Sequence, residues 1–450
     1  MTLSRILPCF LIAACACAVA AGFQGGGGGP VFFEGARLIV GDGSAPIESS
    51  AFLVEGDSFT WAGKKGERQP PPGAVRVDLT GKTVMPSLID GHNHIGLVNE
   101  KDGSNSKANY TRENLVDQLE RYAYYGVSAA MSMGLEADQE LAYQLRDEVI
   151  PNAARFLTVG KGIAGTSIAG PPGEPRLGIP YGARTEQEGR AHVKELHARG
   201  VHFVKVWVDD RAGTVPKVQP KVYRAIIAEA HSNGMEVLAH LSQTTALADA
   251  KDLLQAGVDG FVHVVRDRDV DDEYLSLVKA HPKTWTGPNI PVPNTKDTVD
   301  ALAETLPADQ IARMRQQLQQ REANGNPPNA LYELHCRNFR KIHDAGMIIG
   351  LGTDGTGDGI GAHEQIFAYT RCGMTAMEAI TAGTSVNARL LKLERMGTIA
   401  AKKEADFNVL DANPLDDIGH TKHISAAYLR GKEVDRKALK AKFMAPPVKK

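Results

Sequence analysis

Two histidines one residue apart, His92 and His94, end the apolar run Val84-Met85-Pro86-Ser87-Leu88-Ile89-Asp90-Gly91. On a β-strand side chains alternate, so both imidazoles project from one face about 6–7 Å apart, a spacing that suits two nitrogens on one metal ion. A second run, Val201-His202-Phe203-Val204-Lys205-Val206-Trp207-Val208, carries a lysine near its middle. A buried ammonium is costly. Lys205 can shed its proton, pair with an acid, snorkel to the surface, or react with carbon dioxide to give a carbamate able to bridge two metals. His240 closes the run from Met235, and His263 closes Gly260-Phe261-Val262. Finally, Met347-Ile348-Ile349-Gly350-Leu351-Gly352-Thr353 ends in Asp354. Such a carboxylate can simply cap a helix. Facing a cation, it can instead bind metal, take a proton from a bound water whose pKa has fallen toward ~7, and pass that proton to a leaving group.

The elements that must hold these groups repeat. Gly126-Val127, Gly200-Val201, Gly234-Met235, Gly257-Val258 and Gly346-Met347 each read as a helix ended by a glycine cap and followed by a buried strand. Lys221 to Gly234, with Val222, Ile226, Ile227 and Ala230 on one face, is the clearest such helix. Enough units fit between Val84 and Leu393 for eight strands, which predicts an α/β chain with a (β/α)₈ barrel. His240, His263 and Asp354 then sit at strand C-termini, where barrels keep their chemistry. The match Gly350-Leu351-Gly352-Thr353-Asp354-Gly355 to a dinucleotide-binding loop is weak, because it comes late and a carboxylate inside it would repel a pyrophosphate. Short β-type runs at Arg37 to Val40, Ala51 to Val54, Phe59 to Ala62 and Val75 to Leu79 are echoed by Phe407 to Leu410 and Ala426 to Leu429. The two chain ends are therefore expected to complete one small β-sandwich. The expected order is a signal peptide (1–22), a Gly-rich linker (23–30), half a sandwich (31–84), the barrel (85–395), the other half (396–436) and a tail (437–450). Gly165 to Arg184 reads as a long loop and Pro291 to Ala330 as a partly helical insertion over the active face.

Together these pieces resemble the amidohydrolase superfamily, in its imidazolonepropionase-like and prolidase-like secreted branch. They are the split sandwich, Pro86 to His94, Val204-Lys205-Val206-Trp207, His240, His263, Thr353-Asp354, and Thr375-Ala376-Met377-Glu378 leading to Asn387-Ala388-Arg389. The resemblance implies a binuclear centre, usually zinc. In it His92, His94 and Asp354 hold one divalent ion, His240 and His263 the other, and carboxylated Lys205 bridges them. Two departures stand out: Ser87 replaces the glycine usual after the proline, and Ser128 to Gly134 lacks the Arg-Asp pair common on the second strand.

The expected reaction is hydrolysis of an amide or peptide-like C–N bond in a small molecule such as an acylated amino acid or dipeptide. Loop candidates for substrate contact are Asp209, Asp210 and Arg211 after the fourth strand and Arg266 and Arg268 after the sixth. Either of the last two could clamp a carboxylate bidentately, although such residues more often form surface ion pairs. The rivals are a mononuclear hydrolase of cyclic amides, of lactam or imidazolone type, and a non-catalytic binding protein on the same fold. His363-Glu364 is close enough to the last strand to line the mouth, and the other histidines, His335 among them, need only structural roles.

Composition sets the outer limits. With 450 residues, 42% hydrophobic, 23% charged and a net charge of -2, the chain has no electrostatic footprint for nucleic acid. Arg5, an apolar run from Ile6 to Ala16 and Ala18-Val19-Ala20 predict export to a periplasmic or extracellular space. Ile12-Ala13-Ala14-Cys15 alternatively resembles a lipobox, which would make Cys15 a membrane anchor. Cys336 and Cys372 are the body's two cysteines, and both a disulfide and two buried thiols fit the sequence. A homo-oligomer is left open.

Overall fold

The computed structural model describes residues 29–169, 176–326, 329–355 and 357–445, so the expected signal peptide, its cleavage site and Cys15 lie outside the described residues. The barrel strands are β1 (Leu88–Asn93), β2 (Val127–Gly134), β3 (Arg155–Lys161), β4 (Phe203–Val208), β5 (Glu236–Leu241), β6 (Gly260–Phe261), β7 (Trp285–Thr286) and β8 (Ile348–Ile349). Neighbours pair in parallel from β1 to β3 and from β4 to β8. The short strand Ile163–Ala164 links β3 to β4 by pairing Ile163 with Val206. Closure between β8 and β1 uses Gly91 N donating to Leu351 O (2.9 Å), Thr353 N to His92 O (2.9 Å) and His94 N to Gly355 O (2.8 Å). With both faces covered, the strands are buried almost throughout and read as continuous apolar runs rather than alternating ones.

The glycine junctions behave as the sequence predicts. Gly126, Gly200, Gly234, Gly257 and Gly346 all have positive φ (69°, 69°, 69°, 86° and 90°), where a Cβ is unfavourable. The helix read from Lys221 spans Pro220–Ser232 and buries Val222, Ile226, Ile227 and Ala230. The insertion carries helices Lys296–Leu302 and Ala308–Ala323. The polar face of the second leaves only Ile311 buried.

Both chain ends build the second domain. One sheet pairs Val31–Glu34 with Ser50–Glu55 and Val75–Asp78, and Ser58–Lys64 completes its edge. The other places Phe407–Leu410 between Thr83–Pro86 and Ile424–Leu429. Met85 and Pro86 therefore belong to the sandwich, and the barrel begins just after them. Between the sheets Phe33, Phe52, Phe59 and Phe407 pack ring against ring at 4.8–5.9 Å, which locks the N-terminal segment onto the C-terminal one. In the stretch read as a tail, Arg436–Phe443 is a helix, because Leu439 and Phe443 are one turn apart and both buried. Arg121 lies 4.3 Å over the Phe443 ring. Cys336 and Cys372 form a disulfide (Cα–Cα 4.9 Å), tying helix Ala330–Asp344 to the C-cap of helix Gly361–Arg371. Among the described residues no helix is long and apolar enough to cross a membrane.

Candidate metal centre

Six side chains converge at the C-terminal mouth of the barrel. His92 ends β1's inward row, His94 follows it, and both aim Nε2 at one oxygen of Asp354, at 3.5 and 3.2 Å. The ligand atoms of these three residues all lie within 4.8 Å of one another, so one cation can reach all of them. Across the mouth, His240 Nδ1 and His263 Nε2 face each other at 2.9 Å. The His92 ring lies 5.5 Å from the His263 ring and joins the two groups. Lys205 is fully buried on β4, with Nζ 3.3 Å from His92 Nε2 and 5.2 Å over the Trp207 ring. It has no carboxylate within 4 Å among the described residues, so pairing with an acid and snorkelling, two readings open in the sequence, do not describe it.

The electrostatics favour neutral donors. Burial and the Lys205 charge hold His92 well below the ordinary imidazole range. Burial also lowers His94 to about 4 and, with Arg266, keeps His240 and His263 far down. Burial brings the Lys205 ammonium down to about 7. For Asp354 burial opposes ionisation, yet the His94 hydrogen bond and the neighbouring His92 and His263 hold its carboxyl well below the carboxylate range. The set is thus four neutral imidazoles, one carboxylate and an amine poised to be neutral, the donor types that a divalent ion takes.

The surroundings fix these donors. Asp354 has φ +52°, a left-handed conformation that costs a non-glycine residue energy and is held here by its N–H on His92 O (2.8 Å). Asp90 welds β1 to the same loop. It accepts from Thr353 Oγ1 (2.6 Å), the Thr353 N–H (3.2 Å), the His92 N–H (3.1 Å) and Tyr122 Oη (3.2 Å). The Asn387 amide bridges Ile89 O and Leu351 O from below. At Gly352 a Cβ would lie 2.2 Å from Gly287 O, so only glycine lets the backbone pass under the site.

Two residues outside the sequence-derived ligand set hold the outward ring nitrogens. His240 Nε2 lies 3.1 Å from Asp209 Oδ2, and His263 Nδ1 lies 2.7 Å from Asn289 Oδ1. An acceptor behind each ring leaves the facing nitrogens, His240 Nδ1 and His263 Nε2, as lone-pair donors. Asp209, which the sequence offered as a loop candidate for substrate contact, therefore serves His240 and Arg211 (3.1 Å). Asn289 follows β7, a strand of two residues that leaves no periodicity to read. Asp210 buries Oδ1 without a hydrogen-bond partner among the described residues, and Arg211 turns its guanidinium to Ala169 O and Asp209. Arg266 reaches His240 Nε2 (3.0 Å) and Leu241 O (2.6 Å), whereas Arg268 points outward and pairs with Asp267 at 3.0 Å. His363 is held by Tyr125 O (2.7 Å) and Thr421 Oγ1 (3.0 Å), away from the mouth, and Glu364 pairs with Lys422 (3.0 Å). Beyond β2, where the Arg-Asp pair is missing, Glu136 is fully buried on Thr158 Oγ1 (2.7 Å), and burial pushes its carboxyl up to about 7.

The chain is 26% identical over 422 residues to an ochratoxinase of Aspergillus niger, covering 85% of this chain and 81% of that protein. It is 23% identical over 407 residues to an imidazolonepropionase of Streptomyces avermitilis, covering 86% and 84% respectively. A solved Xaa-Pro dipeptidase with methionine in its active site shares the fold, with a TM-score of 0.68 at 20% identity over 90% of this chain and 99% of that one. The amidohydrolase family model matches residues 83–434, from the last strand of the first sandwich half through the barrel to the end of the second. The chain belongs to the amidohydrolase family of hydrolases.

Proposed function

We propose that this protein hydrolyses an amide or peptide-like C–N bond of a small molecule at a centre of two divalent ions, zinc being the fitting metal. The observation that carries this reading is the convergence of two donor groups, His92/His94/Asp354 and His240/His263, with a buried lysine 3.3 Å from His92 that has no carboxylate partner among the described residues. The first group would hold one ion and the second the other. As a neutral amine, Lys205 can attack carbon dioxide, form an N–C bond and release one proton, which converts it into an anion placed between the two groups.

A divalent ion held there lowers the pKa of water toward ~7 and polarises a carbonyl. The chain's own residues supply the rest. Asp354, 29% exposed and ionised, accepts the proton of the attacking water. When the C–N bond breaks, it returns that proton to the departing nitrogen, so acid and base are one group.

The test is a screen of N-acyl amino acids, dipeptides and lactams with zinc-loaded protein, chelated protein and an Asp354→Asn variant. Hydrolysis of open-chain amides that disappears on chelation, returns with zinc and falls on the order of 10²-fold or more in the variant is expected. Undiminished turnover by Asp354→Asn contradicts the assigned role. Export from the cytoplasm is part of the proposal, and the Cys336–Cys372 disulfide supports it, since such bonds persist in oxidising compartments.

A further inference from the structure

We propose that Arg266 and His335 form an anion subsite beside the metal ligands and that it takes a carboxylate carried by the substrate; this rests on the hydrolase reading above. Arg266 is a partly buried cation with no carboxylate within 4 Å among the described residues. Its Nη2 meets Leu241 O (2.6 Å) and His240 Nε2 (3.0 Å), and its Nε is buried with no hydrogen-bond partner. The acids around it are committed elsewhere. Asp209 takes the Arg211 guanidinium (3.1 Å), the Arg211 N–H (2.8 Å) and His240 (3.1 Å), and Asp354 faces His92 and His94. When His240 Nε2 donates to Asp209 it no longer accepts from Arg266, which loses one of its two partners. A guanidinium in such surroundings is costly without an anion and gains most from a two-oxygen acceptor.

The second donor comes from a helix that sequence reading left aside. His335 is 4% exposed on Ala330–Asp344, and among the described residues its ring nitrogens have no polar neighbour other than the backbone of Asn289. Burial and the Arg266 charge lower it to about 4, so at neutral pH the ring is uncharged and repels no cation, and its one N–H has the Asn289 backbone carbonyl as the acceptor that an incoming carboxylate would displace. The next residue, Cys336, is bonded to Cys372, which fixes this helix against the barrel. One carboxylate oxygen on the Arg266 edge and the other on the imidazole N–H would satisfy both. Arg268, with its side chain 66% exposed and paired with Asp267, is not part of the subsite. Because Arg266 Nη2 lies 3.0 Å from His240 Nε2, a carboxylate on Arg266 would lie beside the second donor group. That selects N-acyl amino acids and dipeptides over neutral lactams.

The experiment pairs N-acetyl-L-alanine, N-acetyl-L-phenylalanine and alanyl dipeptides with the same compounds bearing a carboxamide or hydrogen in place of the carboxylate. Cleavage is measured on zinc-loaded protein and binding by calorimetry on chelated protein, for the parent and for Arg266→Met, Arg266→Lys and His335→Phe. A carboxylate preference of roughly 10- to 100-fold in kcat/KM and in affinity is expected, collapsing toward unity in Arg266→Met and partly kept in Arg266→Lys. No preference in the parent, or equal losses for both members of each pair in Arg266→Met, overturns the subsite. Cleavage without preference leaves the hydrolase reading standing and removes the subsite. Arg266-dependent carboxylate binding without cleavage of any amide does the reverse.

Discussion

Asn289 offers a sharp test, because its side chain touches both halves of the centre. Its Oδ1 is 2.7 Å from His263 Nδ1, and its Nδ2 is 3.5 Å from Asp354 Oδ2. The amide orientation follows from these two contacts: oxygen toward an imidazole N–H, nitrogen toward a carboxylate. Asn289→Leu keeps the volume and removes the acceptor. His263 is 1% exposed, so water cannot replace it, and a buried N–H left unpaired costs about 1–3 kcal/mol. The ring is then free to rotate or to move its proton to Nε2, where the lone pair is needed. A comparable loss, about 10- to 100-fold in metal affinity, is expected from removing a partner of this kind. Chelator competition on the purified protein reads it directly, before any substrate is known. Asn289→Asp retains an acceptor and should hold metal at least ten times more tightly than Asn289→Leu. Equal affinities for the parent and Asn289→Leu would refute the reasoning, because His263 would then not depend on that hydrogen bond.

Two further outcomes follow from the scaffold. The Cys336–Cys372 bond closes a loop of 36 residues, so Cys336→Ser should lose about 3–4 kcal/mol of stability. Denaturant unfolding of parent and variant, each with and without reductant, checks this, and a parent insensitive to reductant contradicts it. Burial, with Asp358 nearby, pushes Glu100 up from 4.5 to about 8. An acid whose folded pKa is raised contributes stability that is fully present below 4.5 and is lost as pH rises through about 8. Glu100→Gln should therefore raise Tm relative to the parent more at pH 8.5 than at pH 5, and a pH-independent difference counts against the assignment.

The candidate ligands were legible because metal chemistry and strand geometry write themselves in short patterns. His92 and His94 follow from alternation, His240, His263 and Asp354 from their places at the ends of apolar runs, and Lys205 from the cost of burying a charge. The split sandwich was legible as one texture at both chain ends. Other features have no local signature. Val31–Glu34 and Thr83–Pro86 are strands through partners distant in sequence, and β6 to β8 are two residues each. Asn289 and His335 come from a loop and from the helix that precedes β8, where only the closed barrel reveals what they face. The helix Arg436–Phe443 was hidden among lysines, since two buried residues one turn apart suffice to dock it.

Everything about the mechanism turns on the metal count at Lys205. Elemental analysis of the purified chain, before and after Lys205→Ala, measures it most directly. Two zinc or other divalent ions per chain, falling to one or fewer in the variant together with amide hydrolysis, is the expected result. A parent that holds a single ion, and a variant that keeps both that ion and its activity, would contradict the bridged centre.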